Sequence, residues 1–395
     1  MPDFPDHLRA WQEPLRAQFP IIASHPELAY LDSAATSQKP RAVLDAVETY
    51  LTTSNANAGR GTYPWANATT ALVERARTRV KTFLGDPRPD RSRVHFTSGT
   101  TEGLRAVALD WLPRVLADGD EIVVPFGDHQ ANALPWLDAV NLLAARGVAV
   151  TVREMPYQDG SHDYDTQALA GLLTPRTRFV AATHVHHVYG GDMNVHRIRQ
   201  LAGPDTVICL DAAQSVGHVP LDLAQLDVDF AVFSGHKVLA LPGTGAVWSR
   251  GARGPAFAPG GWAGTPNTAG IASLESALDW LDAAGVGRVE EWTVGLAARL
   301  TEGLSRLRRY EVLGCALSLS KDASAQHRRA VVTLRHEGID SADLGFILYS
   351  HGFMVRSDGH CQARAGEART SVRVSVHVYN TPEEIDRLLA VLGRL

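Results

Sequence analysis

Short apolar runs along this chain alternate with stretches of helical period. "EIVVPF" (121–126), "FVAATHV" (179–185), "TVICLD" (206–211) and "FAVFS" (230–234) are continuous apolar runs of strand length, and residues 245–248 form another. Ahead of the first of these runs, "TEGLRAVALDWLPRVL" (101–116) sets Leu104, Val107, Ala108, Trp111, Leu112 and Val115 on one helical face. Strands that are apolar on both faces are buried on both faces, which is the habit of parallel sheets covered by helices. Strand–helix alternation at this length therefore predicts an α/β protein with a mostly parallel, doubly wound sheet. In such sheets ligands bind at the carboxyl ends of the strands.

The pattern changes after "GGWAGTPNTAG" (260–270). "IASLESALDWLDAAG" and "VEEWTVGLAARLTEGLSRL" predict two long helices, followed by the strands "RRAVVTL" and "SVRVSVHVY". The chain closes on "TPEEIDRLLAVLGRL", where Thr381, Pro382 and Glu384 form the start of a capped helix. We expect three parts: residues 1–20 as a segment packing on the small domain, 21–275 as the large domain, and 276–395 as a smaller α+β domain. "GDPRPDRSR" and "SRGARGPAFAPGG" are expected to be exposed loops.

Composition narrows the function classes. The chain has 395 residues, 45% of them hydrophobic, and a net charge of −5 with scattered basic residues. That argues against a polyanion-binding protein, nucleic acid included. No run of 18 apolar residues is present, so no membrane span is expected. The N-terminus lacks the apolar segment of a signal peptide. Three cysteines, Cys209, Cys315 and Cys361, are too few and too far apart for a disulfide framework or a CxxC pair. They fit a reducing cytoplasm, and any one of them remains open as a catalytic thiol.

Three local signals carry chemistry. "FTSGTTEG" (96–103) opens a helix with Ser, Gly, Thr100 and Thr101, whose N–H and hydroxyl groups suit a phosphate. Asp211 ends an apolar strand, with Gln214 one turn on. Lys237, in "SGHK", follows another strand, where a buried lysine with a lowered pKa becomes an amine nucleophile. Taken singly, each has a plainer explanation: a helix cap, an N-capping aspartate, a turn lysine. Together they are the set that pyridoxal phosphate (PLP) needs: a phosphate cradle, an acid for the pyridine nitrogen and a lysine for the aldehyde.

"AYLDSAATSQKP", "FTSGTTEG", "DHQANALPW", "LDAAQSVGHVPLDL", "DFAVFSGHK", "AGTPNT" and "VYNTPEEIDRL" together resemble the Suf-type cysteine desulfurases of the class V aminotransferase family, of PLP fold type I. The resemblance runs in order from about residue 17 to the C-terminus. It implies that Lys237 holds PLP covalently and acts as acid and base, that Asp211 pairs with the pyridinium, and that His129 stacks on the ring. Gln214 is implied near the ring 3-oxygen, with Thr100, Thr101, Ser234 and His236 at the phosphate. Thr265 would reach the phosphate of a neighbouring subunit, which implies a homodimer. Arg373 would clamp the substrate carboxylate as a bidentate partner, with Arg356 a second arginine nearby. Cys361, in "VRSDGHCQA", stands in register with the family's mobile-loop thiol and would take sulfur as a persulfide, with Arg356 and His360 favouring its anion. A sulfur-acceptor protein is a possible further partner.

The sequence also departs from that family. "THVHHVYG" (183–190) puts His187 where the family has an asparagine near the 3-oxygen. No metal site is expected from His184, His186 and His187, because successive strand residues face opposite sides. Gly59 stands where many relatives have a histidine, and the segment between "SGHK" and "AGTPNT" is short, which would open the site to a bulkier substrate. These changes gather around the substrate. They keep open a PLP-dependent C–S lyase, an aminotransferase or epimerase of a specialised pathway, and a catalytically silent PLP-fold protein, beside a desulfurase acting on cysteine or a relative.

Overall fold

The computed structural model describes residues 4–251, 265–314, 328–364 and 370–395. Its strands are β1 (Ala29–Tyr30), β2 (Arg93–Thr97), β3 (Glu121–Val124), β4 (Thr151–Glu154), β5 (Thr177–Thr183), β6 (Val207–Asp211), β7 (Phe230–Ser234), β8 (Gly245–Ser249), β9 (Tyr310–Leu313), β10 (Val331–His336), β11 (Phe353–Met354) and β12 (Val372–Ser375). Seven of them make one sheet in the order β2-β8-β7-β6-β5-β3-β4. All neighbours from β4 through β7 run parallel, and only β8 runs against the rest. Every residue of β3, β6 after Val207, β7 and β8 is buried. This is why these strands are apolar without alternation.

β8 passes tightly behind the turn that follows β2. A Cβ on Gly245 would lie 2.5 Å from the Phe233 carbonyl oxygen and 2.6 Å from the Cα of Gly99. Only glycine allows that approach, which brings the ends of β2 and β7 to the same edge.

The run 101–116 is less regular than its period predicts. The α-helix Thr100–Ala106 widens into a π turn, Val107–Trp111, then tightens into a 3₁₀ turn, Leu112–Arg114. Pro113 cannot donate the backbone bond that a continuing helix needs. Leu104, Val107, Ala108, Trp111 and Leu112 are buried as expected, but Val115 is exposed and Leu116 is buried in its place.

A second, antiparallel sheet has the order β12-β10-β9, and β1 pairs with β11 in a short parallel ribbon. The helices Thr268–Ala284 and Val286–Leu304 occupy the two segments with helical period. The last helix, Pro382–Leu392, carries a complete capping box of Thr381 and Glu384. Asp6–Arg16, the first helix, lies against this region: Phe4 and Leu8 share a core with Trp292, Leu296 and Leu388. Arg16 pairs with Glu384 at 2.8 Å, and the Trp11 indole donates to the Ala284 carbonyl at 3.0 Å. Among the described residues no helix is long and apolar enough to cross a membrane.

Candidate active site

The carboxyl edge of the large sheet borders a cavity of about 200 Å³. The strand order fixes the sequence of groups along it: Thr100 and Thr101 after β2, Ser234 to Lys237 after β7, Asp211 and Gln214 after β6, His187 after β5 and His129 after β3. All of these line the cavity, as do Arg356 and Arg373 from the other side of the chain's fold. Two residues named from the sequence do not line it. Thr265 is exposed and lines a separate recess with Ser98, Glu102 and Asn267. Cys361 lies one residue contact away, with Arg356 Nη2 donating to its Sγ at 3.1 Å.

Lys237 sits on a one-turn 3₁₀ segment, Gly235–Lys237, at the end of β7. Burial pushes its amine down to about 8; Asp211 opposes the shift, and Arg373 and Arg356 add to it. Burial also pushes the Asp211 carboxyl up to about 6, against the pull of the Ala213 N–H that donates to Oδ1 at 2.9 Å. Ser234 Oγ meets both the Thr100 N–H and the Thr100 hydroxyl at 2.8 Å. Gln214 is held by its own amide, which donates to the Ala34 carbonyl at 2.9 Å.

His129 precedes the turn Gln130–Asn132, and its Nδ1 accepts from the Ala131 N–H at 3.1 Å. The proton of the neutral ring is therefore on Nε2. Burial, then the charge of Lys237, push its pKa down to about 4. The residue before it is a group that sequence reasoning missed. Asp128 is fully buried, accepts from the Tyr157 hydroxyl at 2.9 Å and from the Tyr164 hydroxyl, and is pushed up to about 6 by burial. Only its adjacency to His129 in "DHQAN" hinted at it.

The histidines after β5 differ from expectation. The strand ends at Thr183 and the chain bends, so His186 and His187 are not opposed across a strand: their rings stack at 5.0 Å with 21° between planes. The argument against a metal from strand alternation therefore does not hold. Instead, both nitrogens of His186 are engaged, Nδ1 by the Val188 and Tyr189 N–H groups and Nε2 with the Gly127 carbonyl. His187 Nε2 meets the His360 carbonyl oxygen at 2.8 Å.

Arg373, on β12, is almost fully buried. Its Nη2 donates to Asp32 at 3.0 Å and its Nη1 to the His187 carbonyl at 3.1 Å, while Nε has no partner among the described residues. Asp32 is the second residue that the sequence reading passed over, although it lies within the quoted "AYLDSAATSQKP".

The loop bearing Cys361 is docked on the segment after β3. The Gln130 N–H donates to the Cys361 carbonyl at 2.9 Å, and the Ala363 and Arg364 N–H groups donate to Asp128 and Phe126 at 2.9 and 3.0 Å. His360 was expected to favour the thiolate. Its ring instead turns to the Ser371 hydroxyl at 3.0 Å, and burial pushes its pKa down to about 4, so it is neutral. Arg356 is the cation at the sulfur. Cys209 lies buried on β6, where burial raises its thiol well above the ordinary value, so it is inert. Cys315 lies outside the described residues, as does 252–264, on which the expectation of a more open site rests.

Fold and site together define an α/β protein with a lysine-bearing ligand pocket at the carboxyl edge of its sheet. The chain matches the Aminotransferase class-V family over residues 29–388 and belongs to that family. It is 32% identical to a probable cysteine desulfurase of Vibrio cholerae, over 96% of this chain and 97% of that one. It is 31% identical to the cysteine desulfurase CsdA of Escherichia coli, over 96% of each. Among solved structures, the apo cysteine desulfurase of Thermococcus onnurineus superposes with a TM-score of 0.86 at 28% identity, covering 97% of each chain. The S-sulfonic acid form of Escherichia coli CsdA gives 0.82 at 29% identity, over 97% of this chain and 98% of that one.

Proposed function

We propose that this protein is a PLP-dependent cysteine desulfurase, taking sulfur from L-cysteine or a close relative onto Cys361. The observation that carries the reading is the Arg356–Cys361 contact at 3.1 Å, on a loop docked beside a cavity lined by Lys237, Asp211 and Arg373. The cysteine desulfurases among its relatives support it.

The donor set fits PLP. Thr100, Thr101, Ser234 and His236 offer hydroxyl and ring N–H donors for a phosphate, Asp211 a buried carboxylate for a ring N–H, and His129 a neutral ring. When bound, the pyridoxal ring supplies an electron sink for bonds broken at the amino acid's Cα. Lys237 Nζ, its pKa brought near neutrality, takes and returns the substrate's proton. Arg373 and Arg356 attract the substrate carboxylate. The Cys361 thiolate, beside Arg356, attacks the sulfur of the substrate cysteine. An S–S bond forms as the C–S bond breaks; the electron pair left on carbon is protonated, giving alanine and a Cys361 persulfide. A reductant or an acceptor thiol then removes that sulfur, which makes a sulfur-acceptor protein a partner of the reaction.

We further read the protein as a cytoplasmic homodimer. The exposed Thr265 in a recess away from the cavity, and the exposed aromatic side chains of Tyr63 and Trp65, support a partner subunit.

The test is incubation of the purified, PLP-loaded protein with cysteine and dithiothreitol. Alanine and sulfide in equal amounts, with one added sulfur on Cys361 by intact mass, are expected. Pyruvate as the product, with an active Cys361→Ala variant, would overturn the reading in favour of a lyase.

A further inference from the structure

We propose that His187 is a positioning residue that latches the Cys361 loop against the cavity, through a hydrogen bond from its Nε2–H to the His360 carbonyl. The proposal rests on the desulfurase reading for what the loop does, but not for whether the latch exists.

The chemistry of the bond is one-directional. A carbonyl oxygen only accepts, so the 2.8 Å contact requires the proton on Nε2. His187 is buried, and burial, then the neighbouring His186, drive its pKa well below the usual range, so the ring is the neutral donor at working pH. Nδ1 is left as a buried nitrogen with no partner among the described residues. Among the described residues the ring thus makes a single hydrogen bond, and that bond runs to the residue immediately before the sulfur-accepting cysteine.

The loop needs such a hold. His360 and Cys361 both have left-handed backbone, with φ of 52° and 58°. Neither is glycine, so each resists this conformation unless contacts impose it. The His360 carbonyl, between two strained residues, is where an outside donor best fixes the turn. His360 is also pinned from its other side, by its ring on Ser371 and by its N–H on Asp358 at 2.7 Å. The backbone of the same His187 holds Arg373 through its carbonyl. One residue thereby ties the loop thiol to the substrate arginine. An asparagine at this position, as in the family pattern, is too short to make the same reach from the same backbone.

The experiment uses PLP-loaded protein, with loading matched between variants by absorbance, and follows hydrogen exchange of the Gln130, Ala363 and Arg364 amides, whose bonds report loop docking. His187→Asn should speed their exchange by about threefold to tenfold, the range set by one net hydrogen bond. His187→Gln, whose longer amide can donate to the same carbonyl, should restore most of the protection. Unchanged exchange in His187→Asn would overturn the latch. Equal loss of protection in both variants would also overturn it, since packing rather than the donor would then be at work. Alanine formation by the unmutated protein and by Cys361→Ala judges the desulfurase reading separately: the exchange result stands or falls without it.

Discussion

The two walls of the cavity are held in different ways. The sheet-edge wall, with Asp211, Ser234 and Lys237, hangs on the ends of β6 and β7, strands that are buried on both faces and paired on both sides. The opposite wall, from Arg356 to Arg364, is docked by separate hydrogen bonds to the segment 126–130 and to His187. Moving a group on the first wall means disrupting a sheet ladder. On the second, it means breaking a few bonds each worth about 1 kcal/mol. The rigid wall is therefore suited to fix a cofactor, and the docked wall to decide what happens to the substrate. The two should be separable by mutation.

The largest separation is expected between Lys237→Ala and Cys361→Ala. Lys237→Ala should abolish both the borohydride-reducible chromophore and all turnover. A yellow, reducible Lys237→Ala protein would contradict the assignment of the amine. Cys361→Ala should keep the bound-PLP spectrum and its response to cysteine while losing nearly all alanine formation. If the spectrum collapses as well, the two walls are not independent.

Arg373 links the walls, because it holds Asp32 and the His187 carbonyl together. Arg373→Lys keeps a charge facing Asp32 but loses the planar fork. KM for cysteine should rise by roughly tenfold, with PLP retention unchanged. An unchanged KM would take Arg373 out of substrate binding.

The same contrast decided what could be read from the sequence. The strands of the large sheet were legible because burial on both faces leaves an unbroken apolar run, and the residues at their ends follow from the run itself: Asp211, Ser234, Lys237. The docked wall left no such trace. That Arg356 touches Cys361, that His360 turns away to Ser371, and that His187 reaches back to a loop 173 residues on are tertiary contacts with no period. Asp32 and Asp128 were passed over for the same reason: a buried carboxylate is identified by its partners, Arg373 for one and two tyrosines for the other. The bend after Thr183 was missed because its apolar pattern continues through Val185.

Acid should loosen the molecule on both sides of the cavity. His129, His218, His236 and His360 are pushed down to about 4 and His186 to about 3, all chiefly by burial. Unfolded histidine titrates near about 6.5. Between those values the unfolded chain binds more protons than the folded one, so stability rises with pH and is lost as pH falls through about 6.5 toward 4. Asp128, Asp163 and Asp211, raised to about 6, act the other way, since the folded state holds their protons more tightly below that pH. The histidines outnumber them. Tm measured from about pH 8 to about pH 5 should fall by several degrees. A Tm that rises over that range would mean the carboxyls dominate.

The smallest expected effect lies at the rim of the docked wall. Asp358 is largely exposed, yet its Oδ1 accepts from both Arg356 Nε and the His360 N–H at 2.7 Å. It thus aims the guanidinium whose other nitrogen meets Cys361, and it braces the strained turn. An exposed ion pair contributes at most about 1 kcal/mol, and Asp358→Ala leaves the His360 N–H free to find water. Alanine formation should fall by no more than about fivefold, the factor that 1 kcal/mol represents. PLP binding should not move, because Lys237 and Asp211 keep their partners. Raising salt should weaken the unmutated protein toward the variant, since the pair is screened where it is exposed. A loss as deep as that of Cys361→Ala would show that Arg356 depends wholly on Asp358 for its place. The docked wall would then be a single cooperative unit, with the arginine, the turn and the thiol moving together.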